Sequence, residues 1–254
     1  MSALMPCLFV GHGSPMNLIL DNRFTQALKT LSKELPKPKA ILVISAHWYT
    51  HETCISFTHS QELIYDFYGF PQALYDIRYP APSAYELAQK IAQKLGISIQ
   101  ERGLDHGAWM PLSFLYPTAA IPTIQLSINK NLSMEAHVKL GEQLQSLREE
   151  GVLILGSGNI THNLGRIDFQ NMEAMPPQWA KNVDNFVDEA FRNNAIDSLT
   201  RIETLCPDFK TAHPSIDHYL PLLYIAGLVR KEDTITSILP FFQNGSLSMR
   251  GFLL

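Results

Sequence analysis

Cysteine is scarce in this chain. Cys7, Cys54 and Cys206 are odd in number, far apart and without a C-x-x-C pair, which argues against a disulfide framework, a zinc ribbon and dithiol redox chemistry. They read as free thiols of a reducing compartment, and Cys7, inside an apolar run, as a small buried hydrophobe. Charge is sparse as well, at 17% of residues with a formal net charge of -4. Nucleic-acid binding needs clustered Lys and Arg, so no nucleic-acid partner is expected. No apolar run approaches the length of a bilayer span, and Met1 to Pro6 lacks the basic start and long apolar core of a signal peptide. No membrane partner is therefore expected, and a cytoplasmic location is. Linker-like, repetitive and low-complexity stretches are missing too. The loop Gly156-Ser157-Gly158-Asn159 could offer backbone N–H groups to an anion, but without the Lys-Ser/Thr of a P-loop it is a weak phosphate signal.

What is present is a well-filled core and a recurring pattern. At 254 residues and 46% hydrophobic, the chain suits one α/β domain over residues 1–254 rather than two domains with a linker. The run Ile41-Leu42-Val43-Ile44-Ser45-Ala46 reads as a buried strand and ends in His47-Trp48. Cys7-Leu8-Phe9-Val10 likewise runs into Gly11-His12-Gly13, and Val152-Leu153-Ile154-Leu155 runs toward His162. Open α/β sheets bind ligands beyond the carboxyl ends of their strands, so three strands bringing three histidines to one rim point to a site rather than to packing.

The intervening segments alternate helix and strand. Asp21-Asn22 can cap a helix carrying Phe24, Leu28 and Leu31, which makes a βαβ unit with the strands around it. Residues 53–58 read as a strand. Residues 61–81, with six Tyr and Phe among Gly69, Pro71 and Pro80, read as a long ordered loop with the composition of a pocket wall. Ser83 is expected to cap a helix with Leu87, Ile91 and Leu95 on one stripe up to Gly96. A strand over 121–127, a helix over 133–148 and a helix around 177–193 follow. A helix beginning near His213-Pro214 and closing strands over 234–240 and 246–253 complete the chain.

Nine histidines occur, and a lone histidine is more often a satisfied polar residue than a ligand. His51, His59 and His137, beside polar residues in loops or on helix surfaces, take that plain reading. His12 sits between two glycines, His47 at a strand end, His162 after a glycine-rich turn, and His106 between Asp105 and Gly107. His213 and His218 would lie about 140° apart on a regular helix, so both are not expected on one metal. Neutral imidazoles gathered at one rim suit Zn(II) or Fe(II) with open coordination positions. A closed zinc staple would use close-spaced Cys and His pairs, whereas these are scattered over the chain, as catalytic ligands tend to be.

Six stretches together resemble a known family. They are Gly11-His12-Gly13-Ser14-Pro15-Met16, Ser45-Ala46-His47-Trp48, Gly69-Phe70-Pro71, Leu104-Asp105-His106-Gly107, Gly158-Asn159 with His162-Asn163-Leu164, and Asp217-His218-Tyr219-Leu220-Pro221-Leu222. In order and from residue 8 to about 250, they look like the class III extradiol ring-cleavage dioxygenases of the LigB-like superfamily, in the 4,5-DOPA dioxygenase branch. The resemblance implies a single α/β domain with a mixed central sheet, helices on both faces and one non-haem metal ion at the strand ends. It implies His12, His47 and His218 as metal ligands and His162 as the catalytic acid/base, close enough to serve as a fourth ligand to zinc. His106 is implied as a catalytic pocket group toward substrate or oxygen. Members acting on protocatechuate carry a glutamate as third ligand where this chain has His218. The resemblance implies Fe(II) for ring cleavage, while the all-histidine set is more zinc-like and also suits Zn(II) as the bound ion.

The expected partners are a catechol, DOPA or a relative of it, and O₂, with oligomeric state left open. The expected reaction gives a ring-opened semialdehyde. His162 takes a catechol proton and later returns one during O–O cleavage, and aromatic residues of the 61–81 loop stack on the ring. Two alternatives carry different chemistry. A zinc hydrolase of an amide or ester would want a carboxylate base, for which Glu62 and Asp217 are the acids near the motifs. A metal-binding interaction protein without turnover would have no need of all five histidines.

Overall fold

The computed structural model describes residues 4–60 and 62–254. Its strands are β1 (Cys7–Gly11), β2 (Ala40–Thr50), β3 (Cys54–Phe57), β4 (Leu63–Ile64), β5 (Ser98–Glu101), β6 (Leu104–Asp105), β7 (Thr123–Asn129), β8 (Val152–Gly158), β9 (Thr236–Ile238), β10 (Phe242–Gln243), β11 (Leu247–Ser248) and β12 (Gly251–Leu253). The longer helices are α1 (Arg23–Leu31), then, after α2 (Gln72–Tyr75), α3 (Tyr85–Leu95), α4 (His106–Leu115), α5 (Met134–Leu144) and, after α6 (Ser146–Glu149), α7 (Gln178–Arg192). Three short helices, α8 (Ile196–Thr200), α9 (Ile202–Leu205) and α10 (Phe209–Ala212), precede α11 (Leu220–Gly227).

Eight strands form one mixed sheet in the order β5-β3-β7-β2-β8-β1-β12-β9. The centre, β7-β2-β8-β1, is parallel, and β12 runs antiparallel to β1. Because successive strand residues face opposite sides, Cys7, Phe9, Leu42, Ile44 and Ile154 join one apolar cluster with α3, α5, α7 and α11. Leu8, Val10, Ile41, Val43, Leu153 and Leu155 join the other with α1, α4 and the aromatic loop. Helices thus cover both faces, as expected for parallel strands that read as continuous apolar runs. None of the helices of the described residues is long and apolar enough to cross a membrane.

Local chemistry explains where most elements begin and end. Asn22 caps α1, its side chain accepting from the backbone N–H groups of Phe24 and Thr25 while the Thr25 hydroxyl accepts from Asn22 N–H. Gly96 ends α3 in a left-handed conformation. Four expectations are corrected. Ser83 does not cap α3: Ala84 holds that place, and the Ser83 hydroxyl accepts instead from Thr58 N–H at 3.3 Å. The helix expected from His213-Pro214 begins at Leu220, with Pro221 in its first turn, so His213 and His218 do not share a helix. The helix over 133–148 is broken into α5 and α6, and the 61–81 loop contains β4 and α2. The loop's first residue, Gln61, and the N-terminal Met1 to Ala3 lie outside the described residues.

Candidate metal centre and cleft

Three features of the sheet bring histidines to one place. His12 follows β1 and stays in register because its N–H donates to Gly158 O at 2.9 Å, one rung beyond the β1–β8 ladder. In β2, pairing with β7 shifts between Ile44 and Tyr49, and the extra residues bulge out, which re-aims His47 toward the rim. His218 is drawn to the same rim from the segment before α11, where its carbonyl accepts from Asn159 N–H at 2.9 Å. Two glycines permit this closeness. A side chain at Gly158 would strike the His218 carbonyl, and one at Gly107 would strike the Ser45 hydroxyl and the His47 ring.

The rings of His12, His47 and His218 form a nearly equilateral triangle, with centroids 5.0, 5.2 and 5.0 Å apart. One nitrogen from each lies within 4.8 Å of the others. The partners of the outer nitrogens determine which nitrogen faces inward. The Ser157 hydroxyl gives its only proton to Gly107 O, so it accepts from His12 Nδ1–H at 3.0 Å. Carboxylates only accept, and His47 Nδ1 lies 3.1 Å from Asp66 while His218 Nδ1 lies 2.5 Å from Asp217. All three imidazoles therefore carry their proton on Nδ1 and turn a lone pair on Nε2 to the centre. Second partners of this kind orient metal-binding histidines and raise their basicity.

The centre itself lacks a protein partner. His218 Nε2 is buried with no hydrogen bond, and His12 Nε2 and His47 Nε2 approach to 3.1 Å. Two lone pairs at that distance repel unless a proton or a cation lies between them. Burial, then the neighbouring histidines, holds His12 and His218 well below the ordinary imidazole range. Burial would also lower His47, but its hydrogen bond to Asp66 and the charges of Asp105 and Asp217 raise it. A cluster of imidazoles that mostly resists protonation suits a divalent cation, which binds the neutral form. The donor set fits one such ion.

His162 and His106 flank the triangle. His162 stacks on His218, with centroids 3.5 Å apart and planes 4° from parallel. It is outside the group of three whose ligand atoms mutually approach. Burial and the nearby His213 lower it to about 4. His106 opens α4, its ring 3.9 Å from His47, and donates from Nδ1 to Asp66 at 2.9 Å, which leaves Nε2 as an acceptor. Asp66 thus serves two histidines, one with each oxygen. Burial would raise its carboxyl, but the bonds from His106 and His47 hold it well below the usual carboxylate range. All five histidines line a cleft of about 650 Å³ walled by Phe67, Phe70, Leu164 and Phe169 among others.

A family model described as the catalytic LigB subunit of aromatic ring-opening dioxygenase matches residues 7–249. The chain belongs to this family. An Escherichia coli (strain K12) relative named 4,5-DOPA dioxygenase extradiol is 38% identical over 98% of this LigB chain and 94% of its own length. A Beta vulgaris protein of the same name is 40% identical, over 86% of this chain and 85% of its own. The crystal structure of an uncharacterized Escherichia coli K12 protein superposes with a TM-score of 0.85 at 33% identity, covering 98% of this chain and 99% of that one. The chain is thus an enzyme of the extradiol ring-cleavage class.

Within this LigB protein, the histidines assigned a plain role divide. His51 is exposed, but His137 is fully buried on the inner face of α5 against Tyr224, so its reading as a surface or loop group is corrected. His213 donates from Nε2 to Ile160 O at 2.8 Å and takes no part in the triangle. Three residues support the histidines without being candidates from the sequence: Ser157, Asp105 and Asp66. Asp105 is fully buried, caps α4 and takes bonds from Ser45, Gln125 and Arg102, so despite its place beside His106 it is structural. Asp66, rather than Glu62 or Asp217, is the acid that two of these histidines share. Glu62 is exposed, and Asp217 is engaged by His218.

Proposed function

We propose that this LigB enzyme opens the ring of a catechol with O₂, using one divalent ion held by His12, His47 and His218. The observation that carries the proposal is the common orientation of the three imidazoles, each fixed through Nδ1 by Ser157, Asp66 or Asp217, with His218 Nε2 buried and unpartnered. A divalent metal there would bind both catechol oxygens, acidify the hydroxyls and, as Fe(II), let O₂ react with the ring, whereas Zn(II) would occupy the site without that redox step.

The chain's own groups supply positioning and proton transfer. His162, beside His218 and neutral once its proton is lost above about pH 4, is the group to accept a catechol proton and return it later. His106, its Nδ1–H tied to Asp66, offers Nε2 to a substrate hydroxyl. Asp66 holds His47 and His106 in one orientation and, with both oxygens engaged, is not free to act as the general base a hydrolase would need. Phe67 packs edge-on to His106 at 5.5 Å and bounds the space a ring would fill.

The test is to load the protein with Fe(II) without oxygen, add catechols, admit O₂ and follow oxygen uptake with the yellow semialdehyde. Matched uptake and product are expected. No turnover with any catechol contradicts the proposal, and hydrolysis of an ester or amide that persists without O₂ supports the zinc hydrolase instead.

A further inference from the structure

One of the five cleft histidines is held differently from the rest. His12, His47, His106 and His218 each have an outer nitrogen bound by a side chain. The His162 ring has no hydrogen bond to any group of the described residues, yet it lies flat on His218, with centroids 3.5 Å apart and planes 4° from parallel. A side chain without a tether of its own can turn among several rotamers. What fixes this ring must therefore act through the backbone that carries it.

That backbone docks on the end of α10. Pro214 disfavours a helical conformation in the residue before it, and His213 is accordingly non-helical, with φ -130 and ψ 84, so that α10 stops at Ala212. A helix end leaves its last carbonyls without partners inside the helix. Ala212 O accepts from His162 N–H at 3.1 Å, and Thr211 O accepts from Asn163 Nδ2 at 2.6 Å. In the return direction His213 Nε2–H donates to Ile160 O at 2.8 Å. Three consecutive residues thus grip the chain on both sides of His162. His213 is buried against the rings of Phe209 and Tyr219, and its Nδ1 has no partner. An apolar side chain would fill that place without an orphaned nitrogen, but it would not donate to Ile160 O.

We infer that His213 and Asn163 are positioning residues for His162: they clamp the turn from Ile160 to Asn163 onto the end of α10 and so hold an untethered imidazole over His218. The inference rests on the ring-cleavage reading above for the role of His162 and adds what keeps that ring in place. The test compares His213→Leu, His213→Gln and Asn163→Ala with the wild type. In the zinc-loaded protein without oxygen, imidazole ¹H–¹⁵N spectra report the His162 ring, its signals assigned by their loss in His162→Ala. Ring opening by the Fe(II)-loaded protein gives kcat and KM. In His213→Leu and Asn163→Ala the His162 signals are expected to lose the upfield shift that stacking on His218 confers, and kcat to fall about 10–100-fold, with KM within about threefold of wild type and zinc still bound. Gln can present an N–H to Ile160 O as His213 does, so His213→Gln is expected to restore both the signals and kcat. A merely structural role would lower stability to urea and move neither. Wild-type signals and kcat in folded His213→Leu overturn the inference, as does a Gln variant as impaired as the Leu one. Should His213→Leu not fold, wild-type signals in Asn163→Ala overturn it instead. The expected spectra without turnover by the wild type overturn ring cleavage alone and leave the clamp standing.

Discussion

The two ends of the central parallel strands both carry buried polar groups, and they handle them in opposite ways. At the amino ends of β1 and β8, the buried Arg148 is fully engaged: two bonds go to Asp233 at 2.6 and 2.8 Å, and others to Met5 O and Leu228 O at 3.0 Å. At the carboxyl ends, the outer nitrogens of His12, His47 and His218 are just as well engaged, but their inner nitrogens face one another. A closed ion pair holds structure together, whereas an open set of acceptors asks for a cation from outside. His137 sharpens the contrast. Its Nε2 is also buried and unpartnered, yet no other imidazole joins it there. An orphaned nitrogen alone is therefore not a candidate metal site; three turned toward one point have the geometry to hold an ion.

The widest gap between the ends should appear on removing a ligand. His218→Ala is expected to abolish stoichiometric metal retention and ring opening, a loss beyond the roughly 100-fold seen when outer partners are removed, while the chain still unfolds cooperatively. Metal analysis after dialysis, with thermal unfolding, checks both halves. Asp233→Ala should do the reverse. Leaving Arg148 buried without its partner should cost about 3–5 kcal/mol in urea unfolding, with metal bound per folded molecule unchanged. A smaller effect is expected from Asp66→Ala, which keeps the three ligands but frees His47 and His106 to rotate. Metal affinity should fall about 10–100-fold, read by competition with a chelating dye. Full affinity in that variant would show that Asp66 has no part in orienting His47.

The least effect belongs to His137, whose folded-state value is lowered by burial from 6.5 to about 4. The unfolded chain binds this proton first as pH falls, so the stability it contributes is complete above about pH 6.5 and is lost toward about pH 4. Its share of the loss between pH 7 and pH 5 comes to about 1–2 kcal/mol. His137→Gln should flatten the pH dependence of urea unfolding by that amount and leave metal binding alone. An unchanged slope would mean that His137 is already solvated or protonated in the folded state.

Much of this arrangement was legible because it is written in local patterns. Apolar runs ending in His12 and His47 mark strand ends, and the Asn22 cap and Gly96 stop mark helix limits. His218 and His106 were recognisable through family likeness, in motifs that retain their neighbours. What escaped depends on contacts across the chain. Asp66 lies 40 residues from His106 and reads locally as one acid in an aromatic loop. Ser157 acts through a side chain 145 residues from His12. Pro214 resembled a helix start because proline suits a first turn, but the segment after it forms turns that place His218, and Pro221 is the proline that opens α11. His137 was misread because polar neighbours in sequence hid that its face of the helix packs against Tyr224.

The central claim is that His12, His47 and His218 share one ion through Nε2. X-ray absorption at the metal edge of the stoichiometrically loaded protein tests it most directly, with His12→Ala and His218→Ala alongside. The account predicts one ion per chain with at least three imidazole nitrogens at about 2.0–2.1 Å in the zinc form, and in each variant loss of the stoichiometric ion, with fewer imidazole nitrogens around any metal retained. Sulfur in the coordination sphere, or a spectrum unchanged by either substitution, would contradict it.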